Sequence, residues 1–147
     1  MNSKTLTPLK HGSLHHCFGC GEENRSGLHL KFYVDEARQV LCRARLPKRF
    51  EGPPGHVHGG IIATMLDEAM SKANRAHDVV AMTRQMEVEY LRPVPLLQPL
   101  TLIGRRVSHD GRKHFCEAEI VNEKGTVLAR GKAMFIAVDR RILKLLR

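Results

Sequence analysis

The 147 residues are the length of one domain, and 42% hydrophobic with 27% charged residues exclude intrinsic disorder. Five Phe, two Tyr and no Trp leave the core to aliphatic side chains. The net charge of +9 suits an anionic partner, but the basic residues fall in ones and twos, clustered only in the tail from Asp139, and lack interleaved aromatics; no nucleic-acid surface is expected.

Residues 1–25 read as a leader and residues 26–147 as a single domain. The leader has no apolar core of a signal peptide, and no run approaches the roughly 20 apolar residues of a membrane span, so a cytoplasmic protein away from membranes is expected. In that compartment Cys42 and Cys116, which sit in strand-like patterns, should be reduced core residues. "HHCFGC" supplies His15, His16, Cys17 and Cys20, half of a zinc site; the second pair of ligands is missing, and no metal is expected.

From Leu28 the pattern has period two: Leu28, Leu30, Phe32 and Val34 alternate with polar residues, "DEARQ" turns, and Val40, Cys42, Ala44 and Leu46 alternate again. This predicts a hairpin. After the Pro- and Gly-rich "PKRFEGPPGHVHGG" a helix is predicted from Ile61 to about Ala76. Four strands follow: one through Met86, Val88 and Tyr90; a pair joined by Asp110-Gly111, two residues that tolerate the positive φ of a tight hairpin; and a last one from Thr126. Antiparallel strands with one long helix predict an α+β fold with the helix packed on the sheet. The final strand carries Leu128, Met134 and Ile136 on its second face, which invites a partner subunit.

At roughly 100° per residue, Ile62, Leu66, Ala69 and Ala73 share one side of the helix, and Gly60, Thr64, Asp67, Ser71 and Asn74 the other. The second stripe is small and weakly polar, unlike a solvent face, and carries a carboxylate pointing away from its own core. At the helix start, Gly59 and Gly60 let another group approach backbone N–H groups that lack intrahelical acceptors, a setting for a polarised carbonyl oxygen. Gly59 and Asp67 are about 12 Å apart along one helix, too far to reach one reacting group. Two helices antiparallel across a two-fold axis would bring them together.

These residues resemble the hotdog-fold acyl-CoA thioesterases, in particular the PaaI-like branch. The likeness rests on "HGG" with an acid nine residues after the His, inside "HGGIIATMLDEAM", on the approach "FEGPPGHV", on "YLRPV" after the next strand, and on the leader "CFGCGEENRSGLHLKF". It covers about residues 15 to 138. It implies one long central helix wrapped by a roughly six-stranded antiparallel sheet, a homodimer that often pairs into a tetramer, and hydrolysis of an acyl-CoA at the dimer interface without a cofactor. By this resemblance Asp67 is general base or nucleophile, the N–H of Gly59, with Gly60, polarises the carbonyl, and His58 shapes the site. Arg84, Arg105 or Arg106 could meet the CoA phosphates.

Two positions depart from that pattern. Relatives often carry Asn or Gln six residues before the His, where this chain has Gly52. A hydroxyl is common on the following strand; Thr83 is near the expected place, but an offset of two residues puts Gln85 there. Glu68, one step around the helix, is the substitute acid. A non-catalytic acyl-CoA binder is the alternative that Gly52 allows. A dehydratase pairing His58 with Asp67 or Glu68 lacks its characteristic approach sequence, and no Ser or Cys lies in a nucleophile elbow.

Overall fold

The computed structural model describes residues 5–10, 14–139 and 141. One helix, α1 (Gly59–Arg75), lies against a seven-stranded sheet. Its strands are β1 (Thr7–Pro8), β2 (Tyr33–Val34), β3 (Val40–Ala44), β4 (Ala81–Tyr90), β5 (Leu100–Asp110), β6 (Lys113–Asn122) and β7 (Val127–Ala137). They pair antiparallel in the order β1-β2-β3-β5-β6-β7-β4, the helix-and-wrapping-sheet arrangement expected of a hotdog fold. The strand beyond the expected six is β1, two leader residues bonded to β2. Among the described residues no helix is long and apolar enough to cross a membrane.

The turns follow local chemistry. Gly111, at φ +58°, takes the left-handed position between β5 and β6, and Gly125, at φ +81°, does so between β6 and β7. The first hairpin is shorter than its alternation suggests: Leu28, Leu30 and Phe32 are buried, but only Tyr33 and Val34 pair with β3. The N–H groups of Leu28 and Leu30 donate instead to the carbonyls of Phe18 and Gly19, at 2.8 and 2.9 Å. A leader loop thus takes the place of the strand's continuation.

Ile62, Leu66, Ala69 and Ala73 of α1 are buried together with Met65 and Met70, in one core with Leu100, Leu102, Ile120 and Phe135. Fully burying each large aliphatic side chain stabilises by about 1.5–3 kcal/mol. Contact is closest at Gly104 of β5, where a Cβ would lie 2.5 Å from the Ala69 carbonyl oxygen, so only glycine lets the helix come this near. Cys42 and Cys116 are buried free thiols.

The polar stripe of α1 does not point away from the chain's own sheet, as its pattern suggested. The sheet curls around the helix, so Asn74 is fully buried and accepts a hydrogen bond from Cys116 Sγ at 3.3 Å, while Asp67 meets β4. β4 ends the sheet: among the described residues it pairs only with β7, leaving a ten-residue edge with Met82 and Tyr90 exposed. Such an edge is a template for another chain's strand. Of the basic tail, Asp139 and Arg141 pair at 2.8 Å; residue 140 and residues 142–147 lie outside the described residues.

Candidate functional site

The start of α1 is built by the loop before it. Glu51 bridges to Val57, the Gly52 N–H donates to the His56 carbonyl at 2.9 Å, and the His58 N–H donates to the Phe50 carbonyl at 2.9 Å. This narrow loop explains Gly52: a Cβ there would lie 2.7 Å from the His58 Cα, so no Asn or Gln fits on this backbone. His58 is the N-cap, and its Nδ1 accepts from the Gly60 N–H at 2.9 Å. The Gly60 N–H, expected as a second donor, is thus engaged by His58 within the chain. The Gly59 N–H has no hydrogen-bond acceptor among the described residues and lies at the positive end of the helix. Tyr90 closes over it, its hydroxyl donating to the Gly59 carbonyl at 3.0 Å and its ring 3.6 Å from where a Gly59 Cβ would be.

Two turns further along α1, Asp67 accepts a hydrogen bond from the Thr83 hydroxyl at 2.6 Å. Burial pushes the Asp67 carboxyl above its ordinary range; the Thr83 bond opposes the rise, and the neighbouring Glu68 adds to it. The choice of Thr83 over Gln85 comes from a break in the ladder: Thr83 lies opposite Phe135 and Gln85 opposite Met134, so Arg84 is an extra residue in β4. A bulge reverses the side-chain alternation. Beyond it Met86 and Val88 pack on the core, before it Thr83 turns toward the helix, and Gln85 lies on the outer face with Glu87, Val107 and Phe115.

Glu68 is engaged elsewhere. Its carboxylate is 3.3 Å from the buried Lys72 ammonium and receives the Cys17 thiol at 3.9–4.0 Å. It is not brought to Asp67's partner Thr83. Arg105 is paired to Glu117 at 2.6 Å on the outer face. The donor set that could hold a metal is Cys17, Cys20 and Glu68, whose ligand atoms lie within 4.8 Å of one another. The Lys72 ammonium, 3.1 Å from Cys20 Sγ, already serves these donors as a cation.

Sequence reasoning passed over Tyr90 and Lys72. Tyr90 carried a signal, as the last member of the Met86, Val88, Tyr90 alternation; Lys72 carried only its i,i+4 spacing from Glu68.

The geometry can be set beside known proteins. Residues 54–129 match the family model described as the thioesterase superfamily. The acyl-coenzyme A thioesterase THEM4 of Mus musculus is 35% identical over 120 residues, 80% of this chain and 51% of that protein. The chain spans about half the length of the curated relatives it matches. Protein RHA08564, a thioesterase superfamily protein, superposes with a TM-score of 0.80 at 34% identity, covering 83% of this chain and 60% of that one. The PaaI protein of the E. coli phenylacetic acid degradation operon shares the fold, with a TM-score of 0.70 at 18% identity over 76% of this chain and 81% of its own.

Proposed function

The chain belongs to the thioesterase superfamily, and from that premise we propose that it hydrolyses an acyl-CoA to the free acid and CoA, in sites shared between two copies of the chain. The observation that carries this is the half-buried Asp67 carboxylate, fixed by Thr83, on the same helix as an N-terminal amide that has no acceptor among the described residues. Relatives named acyl-coenzyme A thioesterase support the substrate class.

In this reading two copies join along the free edge of β4, and Asp67 of one faces Gly59 of the other. Asp67 acts as general base on a water, or attacks the carbonyl carbon itself. The carbonyl oxygen gains negative charge as the new C–O bond forms, and the Gly59 N–H with the helix dipole stabilises it. Collapse breaks the C–S bond, and the CoA thiolate takes up the proton that Asp67 drew from the water. Where Asp67 itself attacks, collapse leaves an acyl-Asp67 anhydride, the thiolate is protonated by solvent, and water then hydrolyses the anhydride to the free acid and the Asp67 carboxylate. Tyr90, bonded to the Gly59 carbonyl, holds the Gly59–Gly60 peptide plane, the one that follows the Gly59 N–H. His58 holds the same plane from its other side, through the Gly60 N–H, so the first turn of the helix is fixed beside the Gly59 amide.

The test is release of free CoA from short, medium, long and aromatic acyl-CoAs, with sedimentation of the same sample. Turnover by a dimer or a dimer of dimers is expected. Binding of acyl-CoA without thiol release on any of them would sink the hydrolase reading and leave the fold as an acyl-CoA binder.

Thr83→Val keeps the branched side chain and removes the donor. Because that hydrogen bond holds the Asp67 pKa down, its loss moves the acid limb of the kcat/KM profile to higher pH. A hydrogen bond to a charged group is worth about 1.5–3 kcal/mol, so kcat/KM is expected to fall at least about tenfold at neutral pH. An unchanged pH profile would remove Thr83 from the site.

A further inference from the structure

We propose that Cys17 and Cys20 form a reversible disulfide on exposure to hydroperoxides, with Glu68 and Lys72 as the groups that move and stabilise charge. The two Sγ atoms and the Glu68 carboxylate lie within 4.8 Å of one another. The loop is already turned for such a bridge: the Gly21 N–H donates to the Cys17 carbonyl at 2.8 Å, one helical turn around the Cys-x-x-Cys. It is pressed onto α1, since a Cβ at Gly19 would lie 2.4 Å from a Glu68 carboxylate oxygen.

The two thiols differ. Cys17 is partly exposed and its thiol donates to Glu68, whereas Cys20 is 2% exposed with its Sγ 3.1 Å from the Lys72 ammonium. Burial pushes the Cys20 thiol up to about 12, with the Glu68 charge adding and Lys72 opposing, so Cys20 is not the group that meets oxidant first. A surface cavity lined by His15, Glu22 and Lys72 opens beside the cluster.

The chemistry balances with hydrogen peroxide as the two-electron oxidant. Glu68 accepts the Cys17 proton, the sulfur attacks one peroxide oxygen, the O–O bond breaks, and Glu68 returns the proton to the departing hydroxide, leaving a sulfenic acid, water and the free carboxylate. The Cys20 thiol then gives its proton to Glu68 while Lys72 stabilises the thiolate. Its sulfur attacks Cys17, the S–O bond breaks, and the hydroxide leaves as water with that proton. Two thiols and one peroxide become one disulfide and two waters.

Trypsin releases both cysteines in one peptide, residues 11–25. The folded protein is treated with hydrogen peroxide, unfolded in an alkylating agent, digested and weighed. The expected result is joint loss of both alkyl groups from this peptide, restored by dithiothreitol, with Cys42 and Cys116 still alkylated. In Cys20→Ser, Cys17 is expected to advance to sulfinic acid, with circular dichroism confirming the fold. Three results would overturn the proposal: Cys17 over-oxidised in wild type while Cys20 stays alkylatable, an oxygen-bridged link from Cys20 to Lys72, or a co-purified metal that shields both thiols.

Discussion

Asp67→Asn is expected to lower kcat/KM for an acyl-CoA by about 10²–10⁴-fold, the range general-base chemistry supplies, while the folded state survives. Asn is nearly isosteric and its side-chain oxygen can still accept from Thr83, so the 2.6 Å contact that fixes the group is not lost. What disappears is the charge. Stability supplies the control, and its sign is fixed by linkage. The Asp67 pKa is raised in the folded protein, so its favourable contribution is present at low pH and lost as pH rises through the folded value. At neutral pH the buried carboxylate therefore costs stability, and Asp67→Asn is expected to unfold at the same temperature or higher. Wild-type kcat/KM should fall on acidification with an apparent pKa above the ordinary Asp range. Full activity in Asp67→Asn would remove this carboxylate from the chemistry. Glu68 is a poor substitute, because it is committed to Lys72 and Cys17.

Lys72→Met is expected to lower folding stability by about 3–5 kcal/mol, measured by denaturant unfolding. Lys72 is 3% exposed and its Glu68 partner 13%, so water screens the pair little. Removing the ammonium leaves a half-enclosed carboxylate beside Cys17, Cys20 and Gly19 without its counter-charge. Most of the cost is that stranded charge rather than the intrinsic strength of the pair. The double variant Lys72→Met/Glu68→Gln should accordingly recover a large part of the loss. A loss below about 1 kcal/mol in the single variant, the value of an exposed ion pair, would mean that the leader loop opens and lets water in.

The two expectations separate what each carboxylate does. Asp67 and Glu68 are adjacent, and helical phase turns them about 100° apart. One faces β4 and a hydroxyl, the other the leader and an ammonium. Substituting the first should change rate and spare stability, and stranding the second should do the reverse.

By itself the sequence determined the elements and the candidate acid. Period-two runs, turn residues with positive φ, and the 3.6-residue pattern after His58-Gly59-Gly60 are short-range signals, because each is set by the conformational preferences and solvation of neighbours a few positions apart. They placed α1 within two residues, the β5–β6 and β6–β7 hairpins, and Asp67 on a stripe of small residues. Tertiary structure alone decided what those residues touch. One extra residue at Arg84 reverses the facing of β4, and only the hydrogen-bond register with β7 shows it, so Thr83 rather than Gln85 meets Asp67. The N-cap bond takes the Gly60 amide, the packing of the approach loop forbids a side chain at Gly52, and the leader closes over Glu68 and Lys72. The β4 register and the leader contact are distances between segments far apart in the chain, fixed by how a curled sheet closes around one helix, whereas the N-cap bond and the Gly52 contact join near neighbours and depend on the backbone path of the approach loop, which residue periodicity does not encode.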